Sequence, residues 1–409
     1  MIDSSALSAA ASSAGDAGNP AAPRSAEPSR PASGRRELFA SSATVVAFAA
    51  IFVVYGLWLG RDFLNVSTRM FDLSTNTPQL VMATGLVVCL ACHQFDLSVG
   101  SMATLSVFLT VGLTINSGLP LPLSIAIALA VGALGGVING LLVTRLRLNA
   151  FIATLGTGGV YGGLTVVYSS GQVIGPSPTT RLLPTWFSGP GSLGDYQEKV
   201  PAVVGWAVIA VVVVAGLLSF DQRFTPKADA QLRRRIVLVG AAAVLFGLCG
   251  WAGVVPVMSW PVVVIVAVAT ILWVFLKYTN LGRSAYAIGG SPKAASFAGI
   301  RTDAVTVLVF MMSGTTAALA GVLLASVQGS ASPGIADNLL LPAYAAVFLS
   351  TVLISRGRFH VWGTLAGGLF LIYVSAGLVE GGVKFTWTQV INGLVLVVTV
   401  SLSSILRKK

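Results

Sequence analysis

A chain of 409 residues with 55% hydrophobic and only 10% charged residues, at a mean hydropathy of +0.85, is too apolar for a soluble globular core. The composition implies an integral membrane protein built from helices. The net charge of +11 invites a nucleic-acid reading and then excludes it, because the basic residues stand in short clusters between apolar runs about as long as a bilayer is thick.

Residues 1–33, rich in Ala, Ser, Pro and Gly, read as a disordered cytoplasmic tail ahead of a transmembrane region, 34–409. Arg35-Arg36 before Leu38-Phe39 resembles a twin-arginine export signal. The many spans that follow favour a basic flank that keeps the first span's N-terminus in the cytoplasm. Twelve apolar runs can be drawn, at 39–59, 79–95, 97–116, 121–144, 151–170, 200–219, 236–255, 257–276, 304–326, 341–355, 361–379 and 387–405. Most reach the roughly 17 to 25 residues that a spanning helix needs, whereas 341–355 is short and reads as tilted or re-entrant. The fold class is therefore all-α and polytopic. With the N-terminus inside, 20 of the 25 Lys and Arg residues fall in inside segments, as the positive-inside rule requires of an N-in, C-in protein with an even span count. The segment 171–199 is then the longest external loop, and 277–303 lies in the cytoplasm.

Two features mark the early spans. Cys89-Leu90-Ala91-Cys92-His93 has the spacing of a c-type haem attachment site, but it closes an apolar run, so small buried thiols beside a polar residue are the better reading. No disulfide framework is implied by Cys89, Cys92 and Cys249. Asp96 alone among the 14 acidic residues falls inside the apolar sequence, preceded by His93 and Gln94 and followed by Leu97-Ser98. A carboxylate at that depth should face protein, a helix end or water. A break or tight reversal in which Asp96 caps the next helix is favoured over a proton relay.

Glycines recur at four-residue spacing at Gly132, Gly136 and Gly140, at Gly159 and Gly163, and at Gly363 and Gly367, which predicts close helix contacts. Beside those faces lie Asn139, Thr154, Thr157, Tyr161, Thr165 and Tyr168. Together with His93, Gln94, Asp96, Ser98 and Phe151 they either line a path for a hydroxyl-rich solute or bond neighbouring helices.

The polar stretch 277–303 carries the most specific local pattern. Gly289-Gly290 supplies a flexible turn, Ser291 an N-cap, Pro292 a first helical position and Gly299 a stop, enclosing a helix of about two turns. Around Lys293 and Ala295, the residues Ala294, Phe297 and Ala298 share one face. A large apolar knob on a small polar element suits docking into a groove of another protein. Elsewhere no Gly-Lys pair offers a nucleotide-phosphate loop, and neither histidine has a second ligand nearby for a catalytic metal.

Three motifs in order now suggest a family. Phe95-Asp96-Leu97-Ser98-Val99-Gly100-Ser101, Asn149-Ala150-Phe151-Ile152-Ala153-Thr154-Leu155-Gly156 and Leu281-Gly282-Arg283-Ser284-Ala285-Tyr286-Ala287-Ile288-Gly289-Gly290 resemble the membrane permeases of ribose- and xylose-type ABC sugar importers, as does the tract through Ala294-Ala295 and Ala298-Gly299-Ile300. The likeness runs from about residue 70 to the C-terminus. It implies a multi-pass subunit of the bacterial plasma (inner) membrane that is not an enzyme and binds no cofactor itself. The helix around Ser291–Gly299 would couple to a cytoplasmic ABC ATP-binding subunit that uses ATP and magnesium. A periplasmic or extracellular sugar-binding protein would deliver a monosaccharide, a pentose such as xylose or ribose, to a homodimer or heterodimer of permeases. Residues 200–255 form a hairpin added to a ten-span core, which ribose-type members lack and xylose-type members share. Val347-Phe348-Leu349-Ser350-Thr351 stands where the family commonly has a glycine pair, and the bulk there narrows a path or alters packing. The alternative is an ion-coupled secondary transporter or facilitator that uses Asp96.

Overall fold

Backbone in lipid must satisfy its own hydrogen bonds, and apolar runs about 20 residues long do so as helices. The computed structural model describes residues 50–177, 182–188, 200–221, 247, 249–251, 253–353, 358–394 and 397. Regular structure among them is helical apart from one isolated antiparallel bridge, Ile174 with Ala331.

The helices in chain order are α1 (Ala50–Leu59), α2 (Val66–Thr75), α3 (Thr77–Ala91), α4 (Val99–Ile115), α5 (Leu121–Thr144), α6 (Ala150–Ser169) and α7 (Ala202–Asp221). There follow α8 (Trp260–Tyr278), α9 (Asn280–Gly290), α10 (Pro292–Phe297), α11 (Thr302–Gln328), α12 (Leu340–Leu353) and α13 (Val361–Glu380). Five of them, α5, α6, α8, α11 and α13, are long and apolar enough to cross a membrane, and the pair α2–α3, bent by 57°, makes up to six. The chain is thus an all-α polytopic membrane protein. The expected runs 39–59, 236–255 and 387–405 lie largely outside the described residues. The short run at 341–355 appears as α12, with 14 residues, about 21 Å.

The bundle is organised on α11, which packs against α3, α4 and α5. Every residue of α3 is buried. Between apolar helices in lipid the attraction is mainly close van der Waals contact, which small residues permit. On α5, Gly132 faces Gly314 and Ala318, Gly136 faces Phe310 and Met311, and Gly140 faces Val307. A Cβ at Gly136 would stand 2.2 Å from the Phe310 carbonyl oxygen, so the two backbones touch. On α13, Gly363 and Gly367 meet Ser350 and Ala346 of α12. The remaining pair differs: Gly159 and Gly163 face open space among the described residues, and the close approach expected there is not made with any of them.

Helix α7 packs with α8 and α2 through Met70, Val208, Ile209, Met258 and Val262; the Ser74 and Ser259 hydroxyls are 2.5 Å apart. Beside it, Arg69 of α2 reaches Glu380 at the end of α13 at 2.5 Å and Asp72 at 3.2 Å. At the C-terminal end of α11, the bridge at Ile174 and a hydrogen bond from the Ser326 hydroxyl to the Phe187 carbonyl (2.5 Å) hold parts of the 171–199 segment down.

Candidate functional site

The break between α3 and α4 is built from polar groups that the apolar sequence leaves few alternatives. Next to α11, the Cys89 thiol donates to the Val309 carbonyl (3.4 Å) and Cys92 lies 4.0 Å from the Thr306 hydroxyl; both cysteines are buried, as small thiols. His93 then turns the chain with a left-handed φ of 54°, and residues 94–96 return up the bundle without helical structure. Asp96 reaches Ser313, which stands roughly 16 Å along α11 from its start, well inside that apolar helix.

Asp96 is fully buried. Its Oδ1 accepts from the Ser98 backbone N–H (3.1 Å) and hydroxyl (2.6 Å), and its Oδ2 accepts from the Ser313 hydroxyl (2.8 Å). The first of these reaches the N–H of Ser98, the N-cap residue of α4, which itself makes no side-chain cap; Asp96 thus holds the approach to α4 instead of capping its first turn as expected. The Tyr344 hydroxyl accepts from the Asp96 N–H (3.0 Å) and donates to its carbonyl (2.9 Å). Ser98 in turn accepts from Asn139 Nδ2 (2.8 Å), and the Thr157 hydroxyl donates to Asn139 Oδ1 (2.6 Å). The Thr154 hydroxyl accepts from the Leu97 N–H (3.0 Å), and Tyr161 donates to the Gly135 carbonyl (3.2 Å). One brace thus joins α4, α5, α6, α11 and α12. Two of the sequence motifs meet in it, since Asn149 caps α6 through the Phe151 N–H (2.9 Å) and so sets Thr154 against the break.

The sequence-derived candidates divide here. Asp96, Ser98, Asn139, Thr154 and Tyr161 are buried and bond neighbouring helices. His93 and Phe151 are exposed, and Gln94 is half-buried. Ser313 and Tyr344 were not among the sequence candidates, and Phe95 stood there only as the first residue of a motif. Each of the first two lies in an apolar run that holds several hydroxyls, so neither stood out.

The second part of the site is an arm, α9 with α10. Thr279 caps α9 by accepting from the Gly282 N–H (3.0 Å). The expected flexible turn at Gly289-Gly290 is instead the last of this helix. Gly289 is there for contact: a Cβ would come within 2.2 Å of the Ala91 carbonyl oxygen at the end of α3. The Tyr286 hydroxyl donates to the Phe359 carbonyl (2.7 Å), and burial pushes its pKa up to about 12 against the opposing pull of Arg358, so it remains a neutral donor.

Ser291 caps α10 by accepting from the Ala294 N–H (3.3 Å), with Pro292 in the first turn. The helix stops where Gly299 turns left-handed at φ 80° and the Ile300 N–H returns to the Ala295 carbonyl (3.1 Å). Ala295 is turned inward. Lys293, Ala294 and Ala298 are exposed, and Phe297 is 92% exposed. Among the described residues no group of three or more His, Cys, Asp or Glu could hold a metal ion.

A family model described as branched-chain amino acid transport system / permease component matches residues 71–400, which include both the break and the arm. The chain is 28% identical over 356 residues to the autoinducer 2 import system permease protein LsrC of Yersinia enterocolitica, covering 86% of this chain and 79% of that one. It is 28% identical over 352 residues to LsrC of Escherichia coli K12 (86% and 83% covered) and 26% identical over 362 residues to that of Photorhabdus luminescens (88% and 89%). No solved structure matches.

Proposed function

Because the chain belongs to the family of branched-chain amino acid transport system permease components, and is thus a multi-pass transport subunit of the bacterial inner membrane, we propose that it carries a small sugar-like solute inward as the membrane subunit of an ATP-driven ABC importer. Hydrolysis of ATP takes place in a separate cytoplasmic subunit, an external binding protein delivers the solute, and a second permease copy completes the pathway. The solute is a compact hydroxyl-rich molecule of the pentose class. Support comes from the likeness to ribose- and xylose-type permeases and from relatives whose name is that of an autoinducer 2 importer. Twelve spans with both termini inside, a tail at 1–33, an external loop at 171–199 and an added hairpin at 200–255 belong to the same reading.

The observation that carries it is Phe297: a phenyl ring left 92% exposed on a capped helix whose other face is seated on the bundle. A ring so presented is made for a pocket in another protein. Phe297→Asp should lower co-purification of the ATPase subunit by roughly ten-fold or more, with the permease still folded in the membrane. Unchanged association would overturn the docking role.

The ion-coupled reading requires Asp96 to meet protons or ions. Its burial and three donors instead support a brace. In liposomes the chain alone should pass no labelled xylose or ribose. Flux that collapses with the proton gradient would favour the ion-coupled reading.

A further inference from the structure

The arm and the break are joined by more than the Gly289 contact. The Tyr286 hydroxyl holds the Phe359 carbonyl at 2.7 Å. The Phe359 ring meets Phe348 edge to face (5.8 Å, 74°), Phe348 stacks on Tyr344 (6.5 Å, 26°), and Tyr344 stacks on Phe95 (6.4 Å, 21°). Tyr344 also grips both backbone groups of Asp96, the residue after Phe95. Rings in contact along such a row let a displacement of one press on the next.

Phe95 ends the row on the outside of the brace. Its ring is 39% exposed, beside an exposed His93 and a half-buried Gln94, on backbone that is not helical. Non-helical backbone carrying an imidazole and an amide is not tolerated against lipid, only against protein or water. The wall at Phe95 is therefore turned to protein or water and not to lipid, and a phenyl ring on a water-lined wall is a hydrophobic constriction.

We infer that Phe95 is the inner gate of the solute path and that Tyr286, Phe359, Phe348 and Tyr344 form the lever through which the arm moves it; this rests on the coupling role proposed for α10. Phe348 then has a function: its bulk closes the row between Phe359 and Tyr344.

The test uses the full chain with Cys89, Cys92 and Cys249 replaced by Ala and Phe95→Cys introduced, co-expressed with its ATPase subunit in inside-out vesicles. The probe is a membrane-impermeant maleimide. Labelling at position 95 should differ by roughly ten-fold between nucleotide-free and ATP–vanadate-trapped complexes. Adding Phe348→Ala should shrink the difference to about two-fold or less, with the ATPase subunit still bound, and Phe348→Leu should restore part of it. Equal labelling in both states with the ATPase subunit bound would overturn the gate, and an undiminished difference in Phe348→Ala would overturn the lever. Failure of the coupling reading is read separately, as unchanged ATPase association in Phe297→Asp.

Discussion

At Asp96 a carboxylate lies well inside an apolar bundle, and it is tolerable there only because its lone pairs are filled. Asp96→Leu would leave the Ser98 N–H without its acceptor and two serine hydroxyls to find new ones. A loss of about 2–4 kcal/mol is expected, read as a lower melting temperature in detergent. Asp96→Asn keeps an acceptor for Ser98, and the Ser313 hydroxyl can rotate to accept from the new amide. It should cost about 1 kcal/mol or less and leave ATP-driven flux within about three-fold of the parent. Loss of flux in a stable Asp96→Asn protein would revive the ion-coupled reading. At this scale the sequence was half legible. Asp96 stood out as a charge in the wrong medium, but its partners did not, since Ser313 and Tyr344 come from runs more than two hundred residues away.

At the scale of elements, glycine spacing identified two real interfaces and one open face. Gly136→Leu drives a branched side chain into the Phe310 and Met311 backbone, so α5 and α11 must part. The expected cost is about 1–3 kcal/mol or more, with reduced membrane yield. Gly159→Ala and Gly163→Ala meet nothing among the described residues and should leave the melting temperature unchanged within error. Spacing alone cannot tell these cases apart, because a small-residue stripe records a close approach without saying to what. The arm gave the opposite lesson. Cap, proline and stop at Ser291, Pro292 and Gly299 were readable because capping chemistry is local. Gly289-Gly290 was misread as a turn because the contact that demands a missing Cβ lies on α3, nearly two hundred residues upstream.

For the whole molecule, composition and charge asymmetry were enough for the all-α membrane class, and they make a checkable claim about sidedness. Phe297→Cys, on a background lacking the three native cysteines, should react with an impermeant maleimide in inside-out vesicles and remain unreacted in intact cells; the reverse result would turn the molecule over. The ion pair between Arg69 and Glu380 bears on how the protein is made. These residues are separated by 311 positions, and the Tyr55 hydroxyl reaches the Val374 carbonyl across 319. At a ribosomal rate of roughly 5–20 residues per second, Arg69 waits on the order of 15–60 s for its partner to be synthesised. Until then the guanidinium has only Asp72 and the face of the Phe63 ring for partners, so the earliest helices remain unfinished work for the insertion machinery, and nascent chains that stop short of α13 should be cleared by membrane proteases.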